Sequence, residues 1–191
     1  MTDNEVLDIF KNTGALKEGH FILTSGYHSP HYFQCALVLQ YPEYNTLFSN
    51  EIAKHFVDDE INVVISPAIG GIVLGTEVGR ILDKRTIFAE RSEGKMILRR
   101  GFSIEPGENV LICEDVTTTG GSVFELIDII RESGANVAGV GCIIDRSNGT
   151  IDFNTKQISL AKFKVEKYRE NELPEWLKEI PASKPGSRNQ K

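Results

Sequence analysis

The most informative segment of the chain is Val110-Leu-Ile-Cys-Glu-Asp-Val-Thr-Thr-Thr-Gly-Gly-Ser122. It opens as an apolar run over Asn109 to Cys113, which indicates a buried strand. Two carboxylates, Glu114 and Asp115, follow, and then a turn of small hydroxyl residues and glycines. After the turn, apolar residues recur at helical spacing, at Val123, Leu126, Ile127 and Ile130,. Gly134 stands where such a helix would end, so the segment predicts a strand, an acidic pair, a turn and a helix.

The turn has the chemistry of a phosphate site. A turn that enters a helix N-terminus offers backbone N–H groups together with the positive end of the helix dipole. Glycines let the backbone approach a bulky anion closely, and hydroxyl side chains add donors. The residues of these kinds are Thr117, Thr118, Thr119, Gly120, Gly121 and Ser122. We therefore expect the turn to cradle a phosphate monoester.

The acidic pair needs a different partner, because carboxylates repel phosphate. Ribose hydroxyls, bound directly or through a hydrated Mg²⁺ ion, fit the charge of Glu114 and Asp115 and their distance from the turn. The alternative is an ordinary turn beside a solvated strand end, but two adjacent acids directly before the loop favour a ribose 5-phosphate site. Neither the Gly-Lys-Ser/Thr of nucleoside triphosphatases nor the Gly-x-Gly-x-x-Gly dinucleotide fingerprint follows the strand,.

Residues 110–122 resemble the phosphoribosyl-pyrophosphate (PRPP) motif of type I phosphoribosyltransferases, in which a hydrophobic run, two acids and a hydrophobe precede a Thr/Gly/Ser loop. The resemblance implies an α/β fold with a central, mostly parallel sheet flanked by helices and a small N-terminal hood. It also implies that Asp115 is catalytic. The residues that it assigns to PRPP are Arg91, Lys95, Glu114, Asp115, Val116, Thr117, Thr118, Thr119, Gly120, Gly121 and Ser122. The motif does not indicate which base accepts the ribose phosphate.

Composition narrows the classes of function. The chain has 191 residues, enough for one α/β domain with a small addition,. Its net charge of −6 argues against a general nucleic-acid binder, and it requires that a site for polyanionic PRPP gather cations locally,. Cys35, Cys113 and Cys142 lack metal-type spacing and suggest reduced thiols,. With no signal peptide and no apolar stretch of membrane-spanning length, we expect a cytoplasmic protein without nucleic-acid or membrane partners.

Patterning divides the chain into an N-terminal helix and hood at 1–40, an α/β core at 41–165, and a C-terminal helix with a polar tail at 166–191, all in one structural domain. The predicted helices are Asp3–Lys11, Pro42–Asp58, a stretch after Gly71 to Asp83, and Pro174–Ile180,. The further predicted strands are Phe21–Leu23, Tyr32–Phe33, Ile61–Ile65, Thr86–Glu90, Asn136–Ile144 and Thr155–Phe163,. The second helix should bury a face formed by Tyr44, Leu47, Phe48, Ile52 and Phe56,.

The predicted hood is crowded with aromatic residues and histidines. It could be a lid that stacks on a flat heterocycle, or a hairpin that packs its own aromatics. A metal pair at His28-x-x-His31 is disfavoured, because no third ligand is suitably spaced. The element Ser25-Gly-Tyr-His-Ser-Pro-His-Tyr-Phe33 is similar to the hood of orotate phosphoribosyltransferases. That resemblance implies that Ser25, Tyr32 and Phe33 bind orotate.

Two further strand ends carry candidate ligands. The loop Ser66-Pro-Ala-Ile-Gly-Gly71 exposes backbone N–H groups for a second anionic group, or is simply a tight turn,. The resemblance makes it the pyrophosphate loop, formed by Ala68, Ile69, Gly70 and Gly71. Asp145-Arg146 follows another predicted strand, where a charged side chain points into the ligand crevice and an arginine can clamp a carboxylate. By the same resemblance, Arg146 binds the orotate carboxylate and Thr118 also touches orotate.

Residues 91–107 form a candidate flap with four cations, Arg91, Lys95, Arg99 and Arg100. Met96–Leu98 could pair with Phe102–Ile104 as a hairpin. Two interpretations are possible: a mobile cationic flap that covers a pyrophosphate, or a solvated hairpin. The flap is favoured, because an acidic protein that binds PRPP needs a local group of cations. In the resembled family these basic residues reach the neighbouring subunit's site, which implies a homodimer.

This chain departs from the family pattern at two positions. Many members have lysines where Thr24 and Gly70 stand here, and many carry a flap histidine that this chain lacks. Lys95, Arg99 and Arg100 are therefore the expected catalytic cations.

The resemblance implies that orotate and PRPP give orotidine 5′-monophosphate and pyrophosphate, a step of de novo pyrimidine (UMP) synthesis. Mg²⁺ would be held mainly by PRPP, near Glu114 and Asp115, without a direct protein ligand. Two alternatives stay open: a phosphoribosyltransferase for another base, and a PRPP-sensing regulator with the same fold. The hood element and the Asp145-Arg146 strand end argue against purine and uracil enzymes.

Overall fold

The computed structural model describes residues 1–23 and 25–185, so Thr24 and the end of the polar tail lie outside the described residues. In chain order the helices and strands are α1 (Asp3–Asn12), β1 (Leu16–Ile22), β2 (His28–Phe33), α2 (Ala36–Leu39), α3 (Pro42–Ala53), β3 (Val63–Pro67), α4 (Gly70–Leu82), β4 (Arg85–Ser92), β5 (Lys95–Leu98), β6 (Asn109–Thr117), α5 (Gly121–Glu132), β7 (Asn136–Asp145), β8 (Gln157–Lys162), α6 (Glu175–Lys178) and β9 (Ala182–Ser183). No helix within the described ranges is long and apolar enough to span a bilayer.

The central sheet has six strands in the order β5-β4-β3-β6-β7-β8. Neighbouring strands run parallel except β5, which is antiparallel to β4. The predicted fold class is confirmed, since the sheet is mostly parallel and helices flank it. The carboxyl ends of β3, β6 and β7 meet at one edge, which is where open α/β sheets bind ligands.

Helices cover both faces of this sheet because each presents an apolar stripe. On one face α1, α3 and α4 bury large side chains, among them Phe10, Phe48 and Leu74. On the other face α5 buries the four residues predicted from its helical spacing: Val123, Leu126, Ile127 and Ile130. The sheet is therefore packed between two apolar layers, and these fix the position of the strand ends at which the candidate site lies.

The junction between β6 and α5 follows the sequence pattern, with one correction. Val110 to Cys113 is fully buried, as predicted. The strand does not end there: it continues through both acids to Thr117. Gly120 caps α5 in the left-handed conformation, with φ of 75°. A Cβ at this position would lie 2.8 Å from the Phe153 ring, so the cap requires glycine for both its backbone and its packing,.

The hood is a small sheet in the order β2-β1-β9, so the C-terminal part of the chain completes it. Inside it, His20 Nε2 lies 2.6 Å from His28 Nδ1, and His20 Nδ1 lies 2.9 Å from the carbonyl oxygen of Ile180. His28 is thus paired with His20 and not with His31, whose ring packs on Phe163. The histidines of the hood tie its strands to the C-terminal segment.

Three sequence expectations about elements need correction. Residues Met96–Leu98 pair with β4, whose residues Ala89 to Arg91 face them, and not with Phe102–Ile104. The hairpin therefore turns at Glu93-Gly94, whose backbones both have positive φ, and the flap beyond Leu98 has no strand partner among the described residues. Helix α3 ends at Ala53, short of Asp58. Leu47 is 38% exposed, so it is not part of the buried face of α3.

Candidate active site

A cleft of about 230 Å³ opens where β6 turns into α5. Its wall is the predicted cradle together with neighbours from three elements. The lining residues are Arg91, Glu114, Val116, Thr117, Thr118, Thr119, Gly120, Gly121, Ser122, Val123 and Glu125. The fold thus brings the whole turn together with the first residues of α5, whose backbone N–H groups lack partners within the helix,.

The hydroxyl residues of the turn differ in exposure. Thr118 and Thr119 are exposed and Ser122 is half-buried. Thr117 is only 4% exposed, and its Oγ1 has no hydrogen-bond partner in the described part of the chain. A buried hydroxyl without a partner on the wall of a cleft is a group that a bound ligand or water can satisfy.

The acidic pair lies at the cleft, which Glu114 lines, and it has no cationic partner in the part of the chain that the structure describes. Glu114 is 8% exposed, and burial, together with the neighbouring Asp115 charge, raises the pKa of its carboxyl. The Val116 N–H donates to Asp115 Oδ1 at 2.8 Å. Within residues 1–23 and 25–185, neither carboxylate forms an ion pair with lysine or arginine. The pair is therefore available to hydroxyl donors or a hydrated cation.

The loop after β3 lies directly against this pair. A Cβ built on Gly70 would come within 2.3 Å of Asp115 Oδ2 and 2.8 Å of its Cγ. Only glycine leaves room for the carboxylate in this position. Ala68 and Ile69 precede it, Ile69 is 82% exposed, and Gly71 is buried against the carbonyl of Cys113. The acidic pair and the predicted pyrophosphate loop thus share one wall.

Arg146 lies at the end of β7, and its backbone N–H donates to the Thr117 carbonyl at 2.8 Å, beside the cradle. Its guanidinium carbon lies 5.6 Å from the centre of the Phe33 ring, so the hood packs against it,. Burial lowers the pKa of this arginine, and its Nε has no partner among the described residues. The adjacent Asp145 does not neutralise it, because its carboxylate accepts the N–H groups of Ser147 and Gly149, each at 2.7 Å.

The other hood residues surround this arginine unequally. Phe33 is 6% exposed and packs edge-on against Phe163, so it supports Arg146 from beneath. Tyr32 is half-buried and donates its hydroxyl to Gln34 at 3.1 Å. Ser25 is exposed in the turn between β1 and β2. Thr118 is in the cradle itself, next to the residue that Arg146 contacts.

The four flap cations separate into two groups. Arg91 lines the cleft and forms an ion pair with Glu125 at 2.6 Å. Lys95, Arg99 and Arg100 are exposed and do not line it, and Arg100 pairs with Glu90 on β4. The fold of a single chain thus brings only the first flap cation to the cradle.

Two residues of the cleft were not predicted as site residues: Val123, which the sequence assigned only to the buried face of α5, and Glu125. Glu125 was hidden in the helical pattern of α5, where an acid between apolar positions indicates an ordinary solvated face. Its position three residues after Ser122 was the available signal, because that places it one turn into the helix that follows the cradle,.

The fold and this cleft define a phosphoribosyltransferase. A family model described as a phosphoribosyl transferase domain matches residues 43–172. A curated orotate phosphoribosyltransferase of Chlorobaculum parvum is 57% identical over 189 residues, which cover 99% of this chain and 98% of that protein. This chain therefore belongs to the orotate phosphoribosyltransferase family.

Solved structures show how widely the fold is shared. The orotate phosphoribosyltransferase of Aeropyrum pernix aligns with a TM-score of 0.69 at 22% identity, covering 83% of this chain and 94% of that one. The adenine phosphoribosyltransferase of Rhodothermus marinus aligns at 0.65 with 21% identity, covering 84% and 99%. The fold alone therefore does not select the base, and that selection depends on side chains at the site.

Proposed function

We propose that this protein transfers the 5-phosphoribosyl group of PRPP to orotate, giving orotidine 5′-monophosphate and pyrophosphate in pyrimidine nucleotide synthesis. The observation that carries the proposal is Arg146, a half-buried arginine whose buried Nε has no partner in the described chain and whose backbone lies beside the predicted cradle. A buried charge is costly unless it is paired, so the site is suited to an anionic base. Orotate carries the carboxylate that such a guanidinium binds. The full-length relatives with that name support the same assignment.

The 5′-phosphate of PRPP would bind at the turn between Thr117 and Ser122. The N–H groups at the start of α5 and the threonine hydroxyls supply donors, and the helix dipole favours the negative charge. The Thr117 Oγ1, which has no hydrogen-bond partner among the described residues, is one group that this ligand would satisfy. Binding of the 5′-phosphate would fix the anomeric carbon relative to the base site. Holding the two reacting groups in this geometry lowers the entropic part of the barrier.

Glu114 and Asp115 would accept hydrogen bonds from the ribose hydroxyls. Bond breaking at the anomeric carbon builds positive charge on the ribose, as in glycoside hydrolysis, and the nearby Asp115 carboxylate would stabilise that charge. Mg²⁺ bound mainly by PRPP would neutralise the departing pyrophosphate. The described residues contain no cluster of three or more side chains suited to holding a metal by themselves. Both carboxylates lack a cationic partner there, so they fit a hydrated ion brought by the substrate.

The departing pyrophosphate would lie against the loop Ala68–Gly71 and the flap. Arg91 lines the cleft of its own chain, which supports this role for it. Lys95, Arg99 and Arg100 are exposed and do not line the cleft of their own chain, and we propose that they act in the site of a second copy in a homodimer,. Mixing a Lys95→Ala, Arg100→Ala variant with an Arg146→Ala variant tests this. Hybrid dimers with one intact site would restore about a quarter of the wild-type activity, whereas no recovery would show that each flap serves its own chain.

We also place the enzyme in the cytoplasm. The three cysteines are free and buried, which suits a reducing compartment,. Fractionation of expressing cells would check this assignment.

The decisive experiment mixes the purified protein with PRPP, Mg²⁺ and orotate and follows the loss of orotate absorbance. Uracil, adenine and hypoxanthine are assayed in parallel. We expect turnover of orotate alone. Turnover of another base would keep the cradle and reject the role of Arg146, and PRPP binding without any turnover would indicate a regulator.

A further inference from the structure

A single carboxylate, Glu125 on α5, holds both strands of the β4–β5 hairpin. Arg91 on β4 donates from Nη2 to Oε1 at 2.6 Å and from Nη1 to Oε2 at 3.2 Å. The Met96 N–H on β5 donates to the same Oε2 at 3.0 Å. Arg91 Nη1 also donates to the Gly94 carbonyl at 2.7 Å, which closes the turn of the hairpin. The hairpin is the base of the flap, so one side chain fixes where the flap leaves the sheet.

The contacts leave part of Arg91 available for a ligand. They use both Nη1 hydrogens and one Nη2 hydrogen. The Nε hydrogen and the second Nη2 hydrogen are then left for an anion in the cleft that Arg91 and Glu125 both line,. Hydrogen bonding from Arg91 lowers the pKa of Glu125, so the carboxylate stays ionised and keeps the guanidinium oriented,.

Glu125 itself is a poor ligand for this site, because a carboxylate on the wall of a phosphate cleft repels the substrate. Arg91 neutralises that charge. The side-chain pair is partly exposed, at 41% for Arg91 and 35% for Glu125, so solvent screens it and it adds little to folding stability,. Glu125 thus contributes little to the free energy of folding, and its charge is unfavourable for phosphate binding. Its effect is to orient the Arg91 guanidinium at the site.

We propose that Glu125 is a positioning residue that couples the phosphate cradle to the flap. It lies in α5, whose first turn forms the cradle, and it holds Arg91 and the Met96 backbone of the hairpin. A phosphate bound at the start of α5 and the base of the flap are therefore fixed to the same helix. The inference rests on the proposed use of PRPP, and it adds a residue whose role is to aim Arg91 and to place the flap.

The test compares Glu125→Gln with Asp128→Asn, an exposed acid on the same helix. Glutamine can still accept the Met96 N–H but cannot form the charged pair with Arg91. We expect the Michaelis constant for PRPP to rise about tenfold or more in Glu125→Gln, with that for orotate changed less than about twofold. Hydrogen exchange at residues 91–98, measured without substrates, should accelerate in Glu125→Gln and not in Asp128→Asn.

A double-substitution cycle separates positioning from general damage. In an Arg91→Met background, Glu125→Gln should cause little further loss of PRPP affinity, because its effect passes through Arg91. Fully additive losses, or unchanged exchange at 91–98, would overturn the proposal. Exchange needs no substrate and PRPP affinity needs no base. A protein that used a different base would therefore still give both signals, and failure of the proposed reaction is distinguishable from failure of this inference.

Discussion

Replacing Arg146 with methionine should weaken orotate binding and, in the free protein, should not reduce stability. Methionine keeps an unbranched stem to pack on Phe33, which lies 5.6 Å beneath the guanidinium, and it removes the charge,. Hydrogen bonds to a charged group contribute about 1.5–3 kcal/mol. Their loss should raise the Michaelis constant for orotate about 10- to 150-fold, with PRPP affinity largely kept.

The stability of the free protein should move the other way. The Arg146 Nε is buried without a partner in the described chain, and an unsatisfied buried donor costs about 1–3 kcal/mol,. The cation–π contact between the guanidinium and the Phe33 ring offsets about 0.5–2 kcal/mol of that cost. The free energy of unfolding of Arg146→Met should therefore be about 1 kcal/mol higher than that of the wild type when no ligand is present.

Two measurements check these opposite signs. Initial rates against orotate at saturating PRPP give the kinetic effect, and urea unfolding with and without orotate gives the stability. Arg131→Met, at an exposed position on α5, is the matched control and should change neither. Unchanged orotate kinetics would refute the role of Arg146 in binding the base. A clear loss of stability would refute the reasoning about its missing counterion.

Three further predictions concern the acidic wall and the buried thiols. Gly70→Lys introduces the lysine that is common at this position in the family, and it should lower kcat/KM for PRPP about 100-fold. The reason is that its Cβ would come within 2.3 Å of Asp115 Oδ2 and displace that carboxylate. A gain in steady-state rate would contradict this prediction. Burial raises the pKa of Glu114 above 4.5, so the folded state keeps a proton that the unfolded state loses, and stability should fall as the pH rises above about 4.5,. Glu114→Gln should flatten that slope in urea titrations carried upward from about pH 4.5, and equal slopes would reject the assignment. Burial also raises the pKa of Cys142 to about 12, so mass spectrometry should find it alkylated by iodoacetamide only after unfolding,.

Local sequence was sufficient for the parts of the fold that one segment makes by itself. The strand, acidic pair, turn and helix over residues 109–132 were predicted because apolar spacing changes from continuous to helical across small residues. The element over 25–33 suggested the hood, and its resemblance suggested the base. Contacts between segments that are distant in the sequence were harder to predict. The flap strand was assigned the wrong partner, because Met96–Leu98 has apolar neighbours on both sides and only the sheet decides between them,.

The sequence by itself determined which groups meet at the candidate site: a turn of small hydroxyl residues and glycines, two carboxylates beside it, and an arginine at the end of a strand. These follow from residue types at fixed local spacing, where backbone geometry leaves few alternatives. Only the tertiary structure decided which charges have partners. Among the described residues Arg146 has no counterion, because the Asp145 carboxylate accepts backbone N–H groups, whereas Arg91 is held by Glu125, which lies 34 residues further along the chain on α5. Pairing of that kind depends on which elements pack together in three dimensions, and no local pattern in the chain encodes it.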